Sequence, residues 1–223
     1  MSRRLQQIRV IIEHMQTTVF AANDKTLKGF IMNVQQANEA YALIVSAITA
    51  RNARVESRDN DLTLEYLAKS EKGIKAGLMK FSFSCIEVWA NMQTNDKKGA
   101  ENFIAVKANM KIVRIIYAIG SKMVSQIDDY SATIIANMLA NDGVLFAKSA
   151  LVCLSSNIEY SALDQTQILR SRMHKAVTTA STQRSSTREA LRVLGLADVV
   201  KGMREDPAKV TEKGSAVFEP LFA

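Results

Sequence analysis

The chain has 223 residues, 48% of them apolar and 23% charged, with a formal net charge of +7. That balance excludes wholesale disorder, and the length supports one sizeable core without metal or disulfide staples. The two cysteines, Cys85 and Cys153, sit inside apolar helical pattern, so they are expected as reduced core residues rather than as a disulfide framework.

The chain opens on the basic stretch MSRRLQQIRV, which lacks the uninterrupted apolar run and small-residue cleavage site of a secretory signal. No proline occurs before Pro207, a distribution that permits long helices. Helices are read at roughly Arg3 to Ala22, Lys25 to Arg54 and Leu62 to Met92. Asn23 or Asp24, and then Asp61, are the expected N-caps. Gly73 and Gly77 in the third helix have no preceding strand, so close helix packing is favoured over a phosphate cradle.

The clearest periodicity runs from Ala100 to Ile127, where Phe103, Val106, Met110, Val113, Tyr117, Val124 and Ile127 recur at steps of three and four. Gly120 falls in the gap of that series, where a neighbouring helix can approach. Ile104, Ile112, Ile115, Ile116 and Ile119 widen the stripe, so this helix is expected at the centre of the molecule. A further helix is read at Tyr130 to Asn141, continuous with the central one or kinked from it. The turn NDG then opens a helix from Val144 toward Met173. In SSTREALRVLG, Ser186 and Glu189 form a capping-box pattern and Gly195 a stop signal. Arg114, Lys122 and Lys148 interrupt the most apolar windows, so no integral membrane segment is expected.

Paired alternating runs joined by a tight turn are not evident. The expected class is all-α: a multi-helix bundle of about six to eight helices with a central buried helix and an extended C-terminal tail. Residues 1–203 read as a single helical domain with a sub-boundary near 181–186. Residues 204–223 read as an extended inter-subunit arm anchored by Val217, Phe218, Leu221 and Phe222.

Patterns that carry catalysis are thin. His14 and His174 adjoin no nucleophile or carboxylate in a familiar spacing, and C-x-x-C, H-E-x-x-H and E-x-x-H are missing. Asp128 with Asp129, and Asp59 with Asp61, read as caps, and Trp89 reads as core. No enzyme, metal or cofactor is expected.

Charge is the uneven property. Residues 165–195 hold Arg170, Arg172, Lys175, Arg184, Arg188 and Arg192 against Glu189, a net +5 of the formal +7. Arginine forks pair with phosphate, and the hydroxyls of Thr178, Thr179, Ser181, Thr182, Ser185, Ser186 and Thr187 add short contacts. Against this, no aromatic residue lies between Tyr160 and Phe218 to stack bases. Arg51, Arg54 and Arg58 form a second row at a helix end, where the macrodipole alone favours cations. Arg3, Arg4 and Arg9, with Leu5, Ile8, Ile11 and Ile12 on the other side, form an amphipathic segment suited to extend a groove lined by both cationic groups or to meet acidic lipid.

The function expected from these features is a non-enzymatic, self-assembling structural subunit. It would bind the phosphate backbone of RNA or DNA without sequence specificity, as a nucleocapsid or coat does, in the cytoplasm or a virion. The alternatives are a membrane-surface or secretion-associated helical assembly protein, and a helical adaptor recognising an acidic protein.

Overall fold

A computed structural model describes residues 31–55, 57–94, 99–158, 167, 169–170, 172–200 and 207–223, with only the backbone of 99–106 and of residue 94. The helix read at Arg3 to Ala22, its cations, His14 and the caps at Asn23 and Asp24 lie outside the described residues. Within them run α1 (Val34–Arg54), α2 (Arg58–Lys69), α3 (Glu71–Leu78), α4 (Phe83–Thr94) and α5 (Gly99–Ser121). A 3-10 turn at Val124–Gln126 leads to α6 (Asp129–Leu139), β1 (Val144–Leu145), α7 (Ala147–Val152) and α8 (Val177–Val193). The chain closes with β2 (Ala197–Val199), β3 (Ala208–Val210) and α9 (Glu212–Phe222). The architecture is a multi-helix all-α fold with a small antiparallel sheet in the order β1-β3-β2.

Capping residues place the first helices. The Asn33 side chain accepts the Gln36 N–H, and the Gln36 side chain accepts the Asn33 N–H, closing a capping box on α1. Ser57, not Asp61, caps α2, its hydroxyl accepting the Asp59 N–H. The single helix read at 62–92 is three, broken at Ser70 and again at Met79–Ser82. A straight helix of that length would run about 46 Å. Breaking it lets Leu67, then Ile74 and Leu78, then Ile86 and Trp89 all turn into one core.

α5 is the central helix, as its wide apolar stripe requires. Ala108, Ile112, Val113, Ile115, Ile116 and Ala118 are buried, with α2, α3 and α8 packed against the helix. α3 crosses it on glycine: a Cβ on Gly120 would overlap the backbone of Gly73 and Gly77, and one on Gly77 would overlap the Ile116 carbonyl. The helix stops at Ser121, earlier than its periodicity suggests, because Lys122 turns left-handed (φ 57°) and Val124 and Ile127 fall in and just after the 3-10 turn.

Asp128 then caps α6, accepting the Ser131 N–H. The same carboxylate receives the buried Lys111 ammonium of α5 at 2.6 Å, and Lys111 also reaches the Ser131 hydroxyl, which bonds Thr187 of α8 at 3.0 Å. Three helices are thereby pinned at one polar node. Burial pulls the Lys111 ammonium down from its ordinary value, and Asp128 opposes that shift.

Beyond α6 the chain departs from the single helix expected from Val144 toward Met173. The turn at Asp142 and Gly143, both at positive φ, opens strand β1 before the helix. α7 ends at Val152, and Arg172 to Lys175 run extended instead of helical, with His174 bridged to Ser155. Gln167 clamps β1: its carbonyl accepts the Phe146 N–H at 2.9 Å and its amide donates to the Val144 carbonyl at 3.0 Å.

Nor is there a break at 181–186, because α8 passes through it unbroken. Ser186 is not an N-cap; it lies buried in mid-helix and donates to the Gln183 carbonyl. The stop at Gly195 stands: with φ 65°, its N–H donates to the Arg192 carbonyl while the Leu196 N–H reaches Leu191, a Schellman closure.

The tail is not an extended arm. Thr211 caps α9, accepting the Gly214 N–H, and the helix folds onto its own chain. Phe218 is fully buried and meets Phe222 edge to face at 6.3 Å. This one-turn pair of aromatics finds its core within the same molecule, which removes the reason for an outward arm.

Candidate nucleic-acid interface

The basic tract divides into an extended segment and a helix face, and both converge on the short helix α7. In the extended segment the Arg170 N–H donates to Asn137 of α6 at 2.7 Å, and the Lys175 N–H donates to the Leu154 carbonyl just past α7. Ser155 fixes the far end, donating to the Lys175 carbonyl at 2.6 Å. Extended backbone alternates its side chains, so Arg172 and His174 face solvent while Met173 packs on the core.

Arg172 donates from Nε to the Val152 carbonyl at the last residue of α7. Arg184, on α8, donates to the Ala147 carbonyl at its first residue. Five helical steps separate those carbonyls, roughly 8 Å. Arg188 lies one turn beyond Arg184, and the two line a crevice with Ala147 and Ala150 of α7 and Met138 of α6. Burial, and after it the adjacent Arg188 guanidinium, draw Arg184 down from its ordinary value.

Among the described residues, no carboxylate lies within ion-pair distance of Arg170, Arg172, Lys175, Arg184 or Arg188. Other cations are matched: Lys107 to Asp59 at 3.1 Å, Lys111 to Asp128, Lys75 to Glu71. Tyr130 stands beside the tract, with Lys175 Nζ 5.8 Å and Lys111 Nζ 5.4 Å from its ring. This aromatic was invisible in the linear tract because it arrives from the first turn of α6.

Arg192 separates from the group. Glu189 binds it with both carboxylate oxygens, at 3.0 and 2.7 Å. That hydrogen-bonded pairing, more than the charge itself, raises the Arg192 guanidinium above its ordinary value. Glu189 therefore neutralises a cation instead of completing a capping box. Of the hydroxyls, Ser186 and Thr187 are buried, Thr179 and Ser185 are half-buried and Thr182 bonds back to the Thr178 carbonyl, which leaves Thr178 and Ser181 on the exposed side.

The second cationic row does not hold together. Arg51 is 2% exposed and turns inward, donating from Nη1 to Gln93 at 3.0 Å. Arg54 donates to the Gln93 backbone carbonyl. Arg58 begins a different helix, so the spacing from Arg51 and Arg54 does not survive the break. Arg51 belongs to a buried polar chain: Gln93 also accepts from Asn109 at 2.8 Å, and Asn109 accepts the Trp89 indole N–H at 2.9 Å. Replacing Gln93 by leucine is expected to lower stability by about 2 kcal/mol, because it strands donors on two partners. Urea unfolding monitored by Trp89 fluorescence measures it.

The predicted arm residues also change place. Phe218 is internal, while Val217, Leu221 and Phe222 are half-buried on α9.

Elsewhere the chemistry is sparse. Cys85 and Cys153 are free thiols. Cys153 donates to the Ala150 carbonyl, and burial pushes it up to about 12 from 9.0. The folded chain keeps that proton while the unfolded chain releases it, so stability is expected to fall as pH rises from about 9 toward 12. At neutral pH Cys153 should resist iodoacetamide until the protein unfolds, and peptide mapping of the alkylated cysteines checks this. The His174 Nδ1 lies 2.7 Å from the Ser156 hydroxyl. The pair sits exposed between the extended segment and the turn after α7, and no described carboxylate orients the imidazole, so the third member of a nucleophilic triad is missing among these residues. No group of three or more metal-ligating side chains occurs among the described residues, and no helix there is long and apolar enough to cross a membrane. No protein-family model matches the chain, nor does any curated protein or solved structure.

Proposed function

We propose that the chain is a non-enzymatic, self-associating subunit that holds the phosphate backbone of nucleic acid without reading its sequence. One observation carries this reading: five cations drawn from two separate elements lie along α6 and α7 with no described carboxylate to neutralise them. Crowding Arg184 against Arg188 is unfavourable unless an anion joins them. Guanidinium forks held at opposite ends of α7 suit the repeating charge of a phosphate chain better than one small anion. Tyr130 adds a ring on which an unpaired base can stack, favouring a single strand. The reading places the chain in the cytoplasm or in a virion.

The test uses purified full-length protein. The ultraviolet absorbance ratio before and after a high-salt wash reports co-purified nucleic acid, and light scattering reports size. Nucleic acid retained at low salt in a large particle, and released by salt, is the expected result. A clean monomer that retains no RNA or DNA at low salt overturns the proposal. Co-sedimentation with anionic vesicles, without nucleic-acid binding, would assign the same cations to a membrane surface instead.

A further inference from the structure

A groove of about 910 Å³ lies between α9 and the C-terminal end of α5. Its walls are apolar, formed by Ile31, Ile119, Val217, Pro220 and Leu221. Ile31 is 51% exposed and is also the first described residue, so residues 1–30 join the fold at the edge of this groove. The next residue is fixed: Met32 is buried and its N–H donates to the Phe81 carbonyl at 3.2 Å.

Those thirty residues carry Leu5, Ile8, Ile12, Met15 and Val19, at alternating steps of three and four. That spacing is the mark of an apolar helical stripe, which needs a partner surface to cover it. We propose that this N-terminal stripe docks in the groove, an amphipathic segment laid into an apolar channel. Val217 and Leu221 then act as floor for an incoming segment, the reverse of the reaching role their sequence suggests.

Reach and concentration both permit it. Residues 20–30 extend up to about 36 Å, and a tether rooted at the rim raises the local concentration of the stripe to about the millimolar range. Charge works the other way, since Lys80, Lys122 and Lys213 also line the groove while Arg4 and Arg9 flank the stripe on a helical wheel. Docking is therefore driven by apolar burial against like charge, and added salt strengthens it by screening that repulsion. Phosphate binding responds to salt in the opposite sense, so the two proposals stand or fall separately.

The experiment places a photoreactive benzoylphenylalanine at Ala216, an exposed residue of the groove wall, in the full-length chain. Irradiation followed by peptide mass spectrometry is expected to capture a peptide from residues 1–30. Its yield should hold or rise between about 50 and about 500 mM salt. The double variant Ile8→Glu, Ile12→Glu should cut the capture by about tenfold or more, with an unchanged melting transition excluding loss of fold. Mixing isotopically light and heavy copies identifies the molecule that donates the segment; capture from either copy supports the docking. Capture of a different region, or equal yield from the double variant, overturns it.

Discussion

Replacing Gly120 by valine is expected to destabilise the fold by about 3 kcal/mol or more, at the upper end of overpacking effects. The cause lies in backbone, not in side chains that can swing aside. A Cβ at that position would overlap the Gly73 carbonyl and the Gly77 amide, so α3 and α5 would have to move apart. Separation would also loosen Ile74, Leu78, Ile112 and Ile116, which are fully or almost fully buried around the crossing. Urea denaturation gives the loss directly, and Gly195→Ala is the contrasting control. Nothing lies within 4 Å of a Cβ built there, so its cost comes from the positive φ alone and should be nearer 1 kcal/mol.

Reversing charge at Arg170 and Arg184 together should weaken binding of single-stranded RNA about a hundredfold at low salt. That follows from losing two charge-assisted contacts of about 1.5 kcal/mol each. Five phosphate contacts on a single strand predict a plot of log affinity against log salt with a slope near −3.5, which the double reversal should flatten by about 1.4. Fluorescence anisotropy across a salt series measures both quantities. Arg170 is the cleaner of the two sites, since its backbone N–H, not its guanidinium, holds Asn137. Arg184 also supports the Ala147 carbonyl, so its single variant needs a melting curve beside it. Affinity and slope that both survive the double reversal would mark these cations as an ordinary solvated surface.

The sequence was most legible where periodicity and glycine coincide. The stripe through Met110, Val113 and Tyr117, and the gap at Gly120, together located the central helix and the point where a neighbour crosses it, because both follow from helical geometry alone. Gly195 was legible for a similar reason: few other residues take positive φ cheaply. The hydroxyl-rich run before it misled, since Ser and Thr favour breaks only while their side chains compete for backbone groups. Here Thr187 instead finds Ser131 across a helix interface, a partner 56 residues away that no local rule supplies. Arg51 misled for the same kind of reason. Its inward turn depends on Gln93, brought alongside by the packing of α4 on α1. The candidate interface was half legible: its cations stand in one stretch of sequence, but α7, Tyr130 and the pairing of Arg192 with Glu189 are products of the fold.

The Gln167 clamp on β1 bears on how copies of this chain can meet. β1 is an outer strand of its sheet, and an outer strand with free amides and carbonyls invites another chain to extend the ladder. A single carboxamide side chain satisfies one donor and one acceptor of that edge at once, standing in for a fourth strand that never forms. Growth of the sheet from molecule to molecule is thereby blocked along β1. Copies that meet along this edge must be joined through side-chain surfaces, whose strength can be tuned residue by residue, and not through continuous backbone pairing.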